Sequence, residues 1–267
     1  MNCAEALEEA RAAIPLREAR RLLRHVLGLE HAELEAHPER EVSPVDTARF
    51  RDRVARRAAG EPIAYLTGSR EFYGLEFHVT PAVLIPREET ELLVELALAR
   101  PARRILDLGT GSGCLAVAVA KHRPQAQVTA VDASAAALEV ARENAARHGV
   151  TVHFLRGDWF APLAGERFDL ILANPPYVAE GDPHLAQGDV RCEPRTALAA
   201  GPEGLDDIRR IVAAAPAHLE AGGGLFFEHG YDQAAAAAAL LAQAGFTELA
   251  QHRDLAGILR VCGGRRP

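Results

Sequence analysis

Cysteine is scarce and scattered: Cys3, Cys114, Cys192 and Cys262 are the only four, and no two form a C-x-x-C pair. That spacing suits neither a disulfide framework nor a zinc site, so no metal is expected and a reducing, cytoplasmic setting is the simplest expectation. Lysine is almost missing. Lys121 stands alone against abundant alanine, which reads as codon preference rather than mechanism. Basic residues fall short of acidic ones and leave a formal net charge of −7. A broad nucleic-acid-binding surface is normally basic, so this balance argues against one while leaving room for a local patch. No apolar run approaches the ~18–20 residues of a membrane span. The start, Met1-Asn2-Cys3-Ala4-Glu5, lacks the basic and apolar regions of a signal peptide. Apolar residues, by contrast, are plentiful. Hydrophobic content of 48% over 267 residues supports a proper core, in one large domain or a large one with a small one.

Two regions emerge along the chain. Residues 1–75 read as helical. Pro15 to Leu27 is amphipathic and stops at Gly28. Ser43-Pro44 starts another helix, with Ser as cap and Pro in the first turn, running to Ala59. That helix carries Arg49, Arg51, Arg53, Arg56 and Arg57. Such a row is a solvated face or a docking surface for an acidic or RNA-associated partner. Phe72 to Val79 looks like a hairpin around Gly74-Leu75, so residues 76–85 link the two regions. His78 there reads as a surface or packing residue.

Residues 86–267 form the larger region, in which strands and helices alternate from about residue 100 onward. Strands are predicted at 103–108, 127–131, 151–155, 168–173, 223–228, 246–252 and 257–262, with helices at 114–122, 133–148, 204–220 and 232–244. This alternation predicts an α/β fold, a mostly parallel seven-stranded sheet covered on both faces, with ligands at the carboxyl ends of its strands. The last two strands have no helix between them and should form an antiparallel pair at one edge. Residues 178–200 show no periodicity. A long irregular loop beside a site is often functional, so this one is expected to help hold a protein substrate.

Two motifs carry chemistry. Asn174-Pro175-Pro176-Tyr177 follows the buried strand Phe168–Ala173. Its prolines fix φ, the Asn oxygen is an acceptor, and the Tyr ring offers a face to a planar amide or base. A group held there presents its NH₂ hydrogens to acceptors and keeps its nitrogen free for methylation. The bland alternative is a turn with an incidental Tyr. Upstream, Asp107 ends a strand two residues before Gly109-Thr110-Gly111-Ser112-Gly113, and a helix follows. Glycines let backbone approach a ligand, and a helix N-terminus favours polar groups. Asp132, 25 positions after Asp107 at the end of the next strand, can accept both ribose hydroxyls of an adenosine ligand. It also stands where a helix cap would. Cys114 in place of Gly or Ala, and the acid before the first Gly, favour S-adenosylmethionine over a dinucleotide.

With these motifs the chain resembles class I methyltransferases acting on planar nitrogens. Glu61-Pro62-Ile63-Ala64-Tyr65-Leu66-Thr67-Gly68, Glu71-Phe72-Tyr73-Gly74 and Leu84-Ile85-Pro86-Arg87-Glu88-Glu89-Thr90-Glu91 are similar to segments of the PrmC (HemK) family. So are Glu193-Pro194-Arg195-Thr196-Ala197-Leu198 and Gly201-Pro202-Glu203-Gly204-Leu205. The resemblance spans nearly the whole chain and is weakest over residues 1–60. It implies a class I methyltransferase domain behind a small helical substrate-recognition domain. It also implies S-adenosylmethionine-dependent methylation of the glutamine in the Gly-Gly-Gln motif of peptide chain release factors.

On that reading the cofactor is held by Asp107 near its methionine amino group, by the loop Gly109 to Gly113, and by Asp132 at the ribose. Asp158 would accept from the adenine amino group, Trp159 would pack on the ring, and Asn174 would touch the methionine part. Asn174 and Pro175 would accept the amide hydrogens of the target, with Pro176 and Tyr177 completing its pocket. Trp159 as a core aromatic is the alternative for that position. Arg87 and Glu91 could lie near the cofactor or the target, or the Glu residues could simply complement a helix terminus. Two other substrates remain open on the residues alone: a ribosomal-protein glutamine and, less favoured, DNA adenine. The latter usually needs an extra recognition domain for which the chain has little room.

Overall fold

The computed structural model describes residues 1–267, which divide into two compact units. One comprises Met1–Ser69 with Gly188–Cys192, the other Arg70–Gln187 with Glu193–Pro267. The divide falls at Ser69, and five residues of the irregular loop belong with the helices.

The first unit holds α1 (Cys3–Arg11), α2 (Leu16–Leu27), α3 (His31–Ala36), α4 (Pro44–Ala58) and α5 (Ile63–Thr67). α1 opens with a capping box in which Asn2 and Glu5 satisfy each other's backbone N–H. Ser43 caps α4, as its sequence predicts, by accepting from the Asp46 N–H. Leu22 and Leu23 of α2 pack with Leu34, Phe50 and Val54. Fully burying each such side chain is worth about 1.5–3 kcal/mol.

The arginine row of α4 is neither bare nor simply solvated. Arg51 forks onto Glu9, Arg56 onto Glu61, and Arg57 bridges Glu18 (2.7 Å) and Asp189 (2.6 Å). Arg53 donates to the Leu66 carbonyl. Planar guanidinium groups match carboxylates two bonds at a time, so this row ties its own unit together. Only 17% of the Arg57 side chain is exposed, and its two carboxylates hold its pKa above the usual arginine value.

The second unit opens with the predicted hairpin, β1 (Ser69–Phe72) and β2 (Leu75–His78), then continues with α6 (Glu91–Leu98) and β3 (Arg104–Leu108). Next come α7 (Cys114–His122), β4 (Gln127–Asp132), α8 (Ala135–His148), β5 (His153–Arg156) and β6 (Phe168–Ala173). The chain closes with α9 (Asp206–His218), β7 (Leu219–Glu228), α10 (Ala234–Gln243), β8 (Thr247–Arg253) and β9 (Leu259–Arg265). The seven-stranded order is β5-β4-β3-β6-β7-β9-β8. All neighbours are parallel except β9, which runs antiparallel to both β7 and β8. This is the expected sheet with its antiparallel edge. Its inner strands are continuous apolar runs because both faces are covered. α6, α7 and the hairpin phenylalanines share one core, and α9 and α10 share the other.

Two boundaries differ from the sequence expectation by more than two residues. β9 runs through Gly263 and Gly264 instead of stopping at 262, because the Phe226 ring lies across Gly263. A Cβ there would stand 2.1 Å from the ring. β7 starts at Leu219, directly where α9 ends, rather than at 223. Asn144, fully buried on α8, ties the hairpin to the glycine loop. Its Nδ2 donates to the carbonyls of His78 and Ser112, and its Oδ1 accepts from the His78 N–H.

Candidate active site

The strand order reverses between β3 and β6, the point at which an open α/β sheet opens a crevice at its carboxyl ends. A cavity of about 570 Å³ lies there. The loop after β3 brings Gly109 and Gly111 to it, and the end of β4 brings Asp132. The turn after β5 adds Asp158 and Trp159, and the turn after β6 adds Asn174 and Pro176. Residues 81–84 and Pro194, Thr196 and Ala197 complete the wall. Of the site residues expected from sequence, Asp107, Thr110, Ser112, Gly113, Pro175 and Tyr177 are not among the residues that line it.

Asp107 is 1% exposed and accepts from the Thr110 hydroxyl at 2.6 Å. Burial pushes its carboxyl up to about 7, partly offset by that bond. Asp132 accepts from the Gly111 N–H through Oδ2 and from the Ser134 N–H through Oδ1, both at 2.8 Å. It therefore sets the curvature of the glycine loop, while Ser134 is the side chain that caps α8. Burial raises the Asp132 pKa, and the two backbone bonds oppose the rise. Asp158 is paired with Arg210, which also lines the cavity. Trp159 has a left-handed backbone, φ 47°, uncommon for a large residue. Its indole N–H donates to Asp207 at 3.1 Å, and its ring lies against Gly109, where a Cβ would come within 3.2 Å. Glycine lets the loop pass the ring.

Asn174 is partly buried. Its Nδ2 lies 2.9 Å from Thr90 Oγ1, which lies 2.7 Å from Glu228 Oε2. The Tyr177 hydroxyl donates to Glu228 Oε1 at 2.9 Å, and the Tyr177 ring packs on the α9–α10 side of the core. Burial raises the Glu228 carboxyl above the usual range, and burial beside Glu228 raises the Tyr177 phenol well above its own.

Sequence reasoning assigned no role to Thr90, Glu228, Glu193 or Asn144. An acid closing the apolar run Leu225-Phe226-Phe227 was the available signal for Glu228. Arg87 and Glu91 turn out to be structural ties. The buried Glu193 carboxylate accepts from Arg87 and, at 2.9 Å, from the Ile85 N–H. Glu91 accepts from the Tyr73 N–H at 2.8 Å. Nowhere do three His, Cys, Asp or Glu side chains gather as a metal ion would require.

Residues 2–68 match the PrmC N-terminal domain family, and residues 88–190 match the Methyltransferase small domain family. The release factor glutamine methyltransferase of Bordetella pertussis is 56% identical over 256 residues, covering 94% of this chain and 95% of that protein. The chain belongs to the release factor glutamine methyltransferase family. The Burkholderia pseudomallei member is 52% identical over 94% of this chain and 92% of its own length. A solved methyltransferase from Pyrococcus furiosus matches 80% of this chain and 98% of its own with a TM-score of 0.57. At 19% identity it speaks for the fold alone. The family resemblance and the fold read from the motifs are thus borne out.

Proposed function

We propose that this chain methylates the side-chain amide nitrogen of the release factor glutamine, the one in the Gly-Gly-Gln motif, using S-adenosylmethionine. One observation carries the reading: in a member of this family, Asp132 and Asn174 face a single cavity at the carboxyl ends of β4 and β6. S-adenosylmethionine fits the residues present. A carboxylate for ribose hydroxyls, close-approaching glycine backbone and a flat indole wall stand together there. When bound, it supplies an electrophilic methyl group on a sulfonium. Asp132 would accept from the ribose, Trp159 would flank the adenine, and Asp158 would divide itself between the adenine amino group and Arg210. Asp107, beneath the loop shaped by Thr110, Ser112 and Gly113, would bring negative charge near the methionine amino group.

The chain's remaining work is to hold the target. An amide nitrogen is a weak nucleophile because its lone pair is delocalised into the carbonyl. It is also too weak an acid for a side chain to deprotonate, so no general base is invoked. Asn174 Oδ1 and the Pro175 carbonyl accept the two amide hydrogens and fix the nitrogen in place. The same acceptors stabilise the positive character that develops on it. Tyr177, anchored on Glu228 with its ring against the α9–α10 core, keeps the turn rigid.

A planar pocket cannot choose one glutamine among many. The first unit and the 178–200 loop are the surfaces proposed to grip the release factor, whose two glycines let its loop enter a narrow cleft. A release factor substrate would place the chain in the cytoplasm. No helix is long and apolar enough to cross a membrane. The test is labelled-methyl transfer from S-adenosylmethionine to purified release factor, ribosomal protein and adenine-containing DNA. Label in the release factor glutamine is expected. Label only in ribosomal protein or DNA would overturn the assignment.

A further inference from the structure

An Asn amide can present either end to a cavity, and only its oxygen suits an incoming NH₂ group. The other orientation sets N–H against N–H and repels the target. The hydroxyl behind Asn174 decides between them. A threonine hydroxyl has one proton to give and two lone pairs. Glu228 receives hydroxyl bonds on both of its oxygens, from Thr90 and Tyr177, and these favour the accepting carboxylate against burial, so the Thr90 proton goes to Oε2 across 2.7 Å. Tyr177 spends its own proton on Oε1, so both carboxylate oxygens are engaged. Thr90 Oγ1 then has nothing to offer Asn174 but a lone pair. Asn174 must turn Nδ2 towards it, 2.9 Å away, and Oδ1 towards the cavity that Asn174 lines. The reverse orientation would set two acceptors face to face with no proton between them. Thr90 is 3% exposed and Glu228 1%, so water does not step in as a substitute partner.

We propose that Thr90 and Glu228 are positioning residues that set the polarity of the Asn174 amide and so make the pocket selective for planar groups bearing NH₂. This rests on the reading that Asn174 receives the target amide. The three elements involved lie far apart in sequence, at the start of α6, the end of β6 and the end of β7. Their meeting builds one directional chain, from Asn174 through Thr90 to Glu228, with Tyr177 closing the far end.

A double-mutant cycle on the full chain tests it, with single-turnover methyl transfer to release factor at saturating S-adenosylmethionine and calorimetric cofactor affinity. Thr90→Val keeps the shape and loses the hydroxyl. It should slow transfer roughly tenfold or more, about what one oriented hydrogen bond is worth, with cofactor affinity within about twofold. Thr90→Ser should restore most of the rate. Asn174→Ala should slow transfer by roughly 10²-fold, by analogy with losing one preorganised polar contact. In that background Thr90→Val should cost nothing more, because no amide remains to orient. Losses that multiply in the double variant, or a Thr90→Val rate equal to wild type, would overturn the proposal. If Thr90→Val does not fold, Glu228→Gln takes its place in the cycle. Its NH₂ frees one hydroxyl proton and should slow transfer only when Asn174 is present. A near-normal rate for Asn174→Ala alone would instead bring down the functional reading itself, and this proposal with it.

Discussion

Replacing Glu193 by alanine should loosen the cavity wall without touching any proposed ligand contact. The Glu193 side chain is 0% exposed and holds two donors, the Ile85 N–H at 2.9 Å and the Arg87 guanidinium. Glu193→Ala strands the buried Ile85 N–H, at about 1–3 kcal/mol, and removes a charge-assisted bond. Arg87 keeps 30% of its side chain in water, so solvent replaces much of what it loses and its share is about 1 kcal/mol. The expected destabilisation is about 2–4 kcal/mol, or roughly 5–15 °C in unfolding midpoint for a unit of this size. Glu193→Gln keeps an acceptor for Ile85 and should cost about half as much. Arg87→Ala leaves a fully buried carboxylate unpaired and should cost the most, about 3–5 kcal/mol. Thermal unfolding of the three variants followed by circular dichroism gives the order. Calorimetry should show a few-fold weaker cofactor binding, since residues 81–84 and 194–197 flank this pair. The reasoning fails if Glu193→Ala melts with the wild type, or if Arg87→Ala is the mildest of the three.

Three further outcomes follow from the site. Asp132→Ala should weaken S-adenosylmethionine binding by roughly 10–100-fold, because charge-assisted bonds to ribose are worth about 1.5–3 kcal/mol each and the Gly111 anchor is lost too; unchanged affinity in titration calorimetry would restrict Asp132 to shaping the loop. Asp107, with its carboxyl pushed up to about 7, binds a proton in the folded chain that the unfolded chain releases near its ordinary value of about 3.9. Its contribution to stability is therefore present at low pH and lost as pH rises towards 7. Denaturant unfolding without cofactor should show Asp107→Asn gaining on wild type across that window, and parallel stability curves would refute the shift. Arg57→Ala cuts the tie between Asp189 of the 188–192 segment and the Arg57–Glu18 pair, and so loosens that segment; turnover on intact release factor should fall several-fold while cofactor affinity holds, and unchanged turnover would remove that segment from the proposed grip.

Much of this protein is legible in the sequence because its signals are local. Strand and helix periods, the capping Ser43 and the glycine loop after β3 each lie within a few residues of their physical cause. The run Asn174 to Tyr177 at the end of an apolar strand marks the site for the same reason. The family-specific segments around Arg87 and Glu193 identify the lineage. They do not say that the two residues grip each other across 106 positions. Thr90 and Glu228 stand 138 positions apart, Asn174 and Thr90 84 apart, and nothing in the neighbourhood of any of them names its partner. Nor does a row of arginines say whether it faces water or carboxylates, and the glycines that end a strand on paper extend one beneath Phe226. Local sequence determines which elements form and which atoms can give or take a proton. Only the packed chain decides which of those atoms meet, because a buried donor or acceptor must find its partner wherever the fold brings one within about 3 Å.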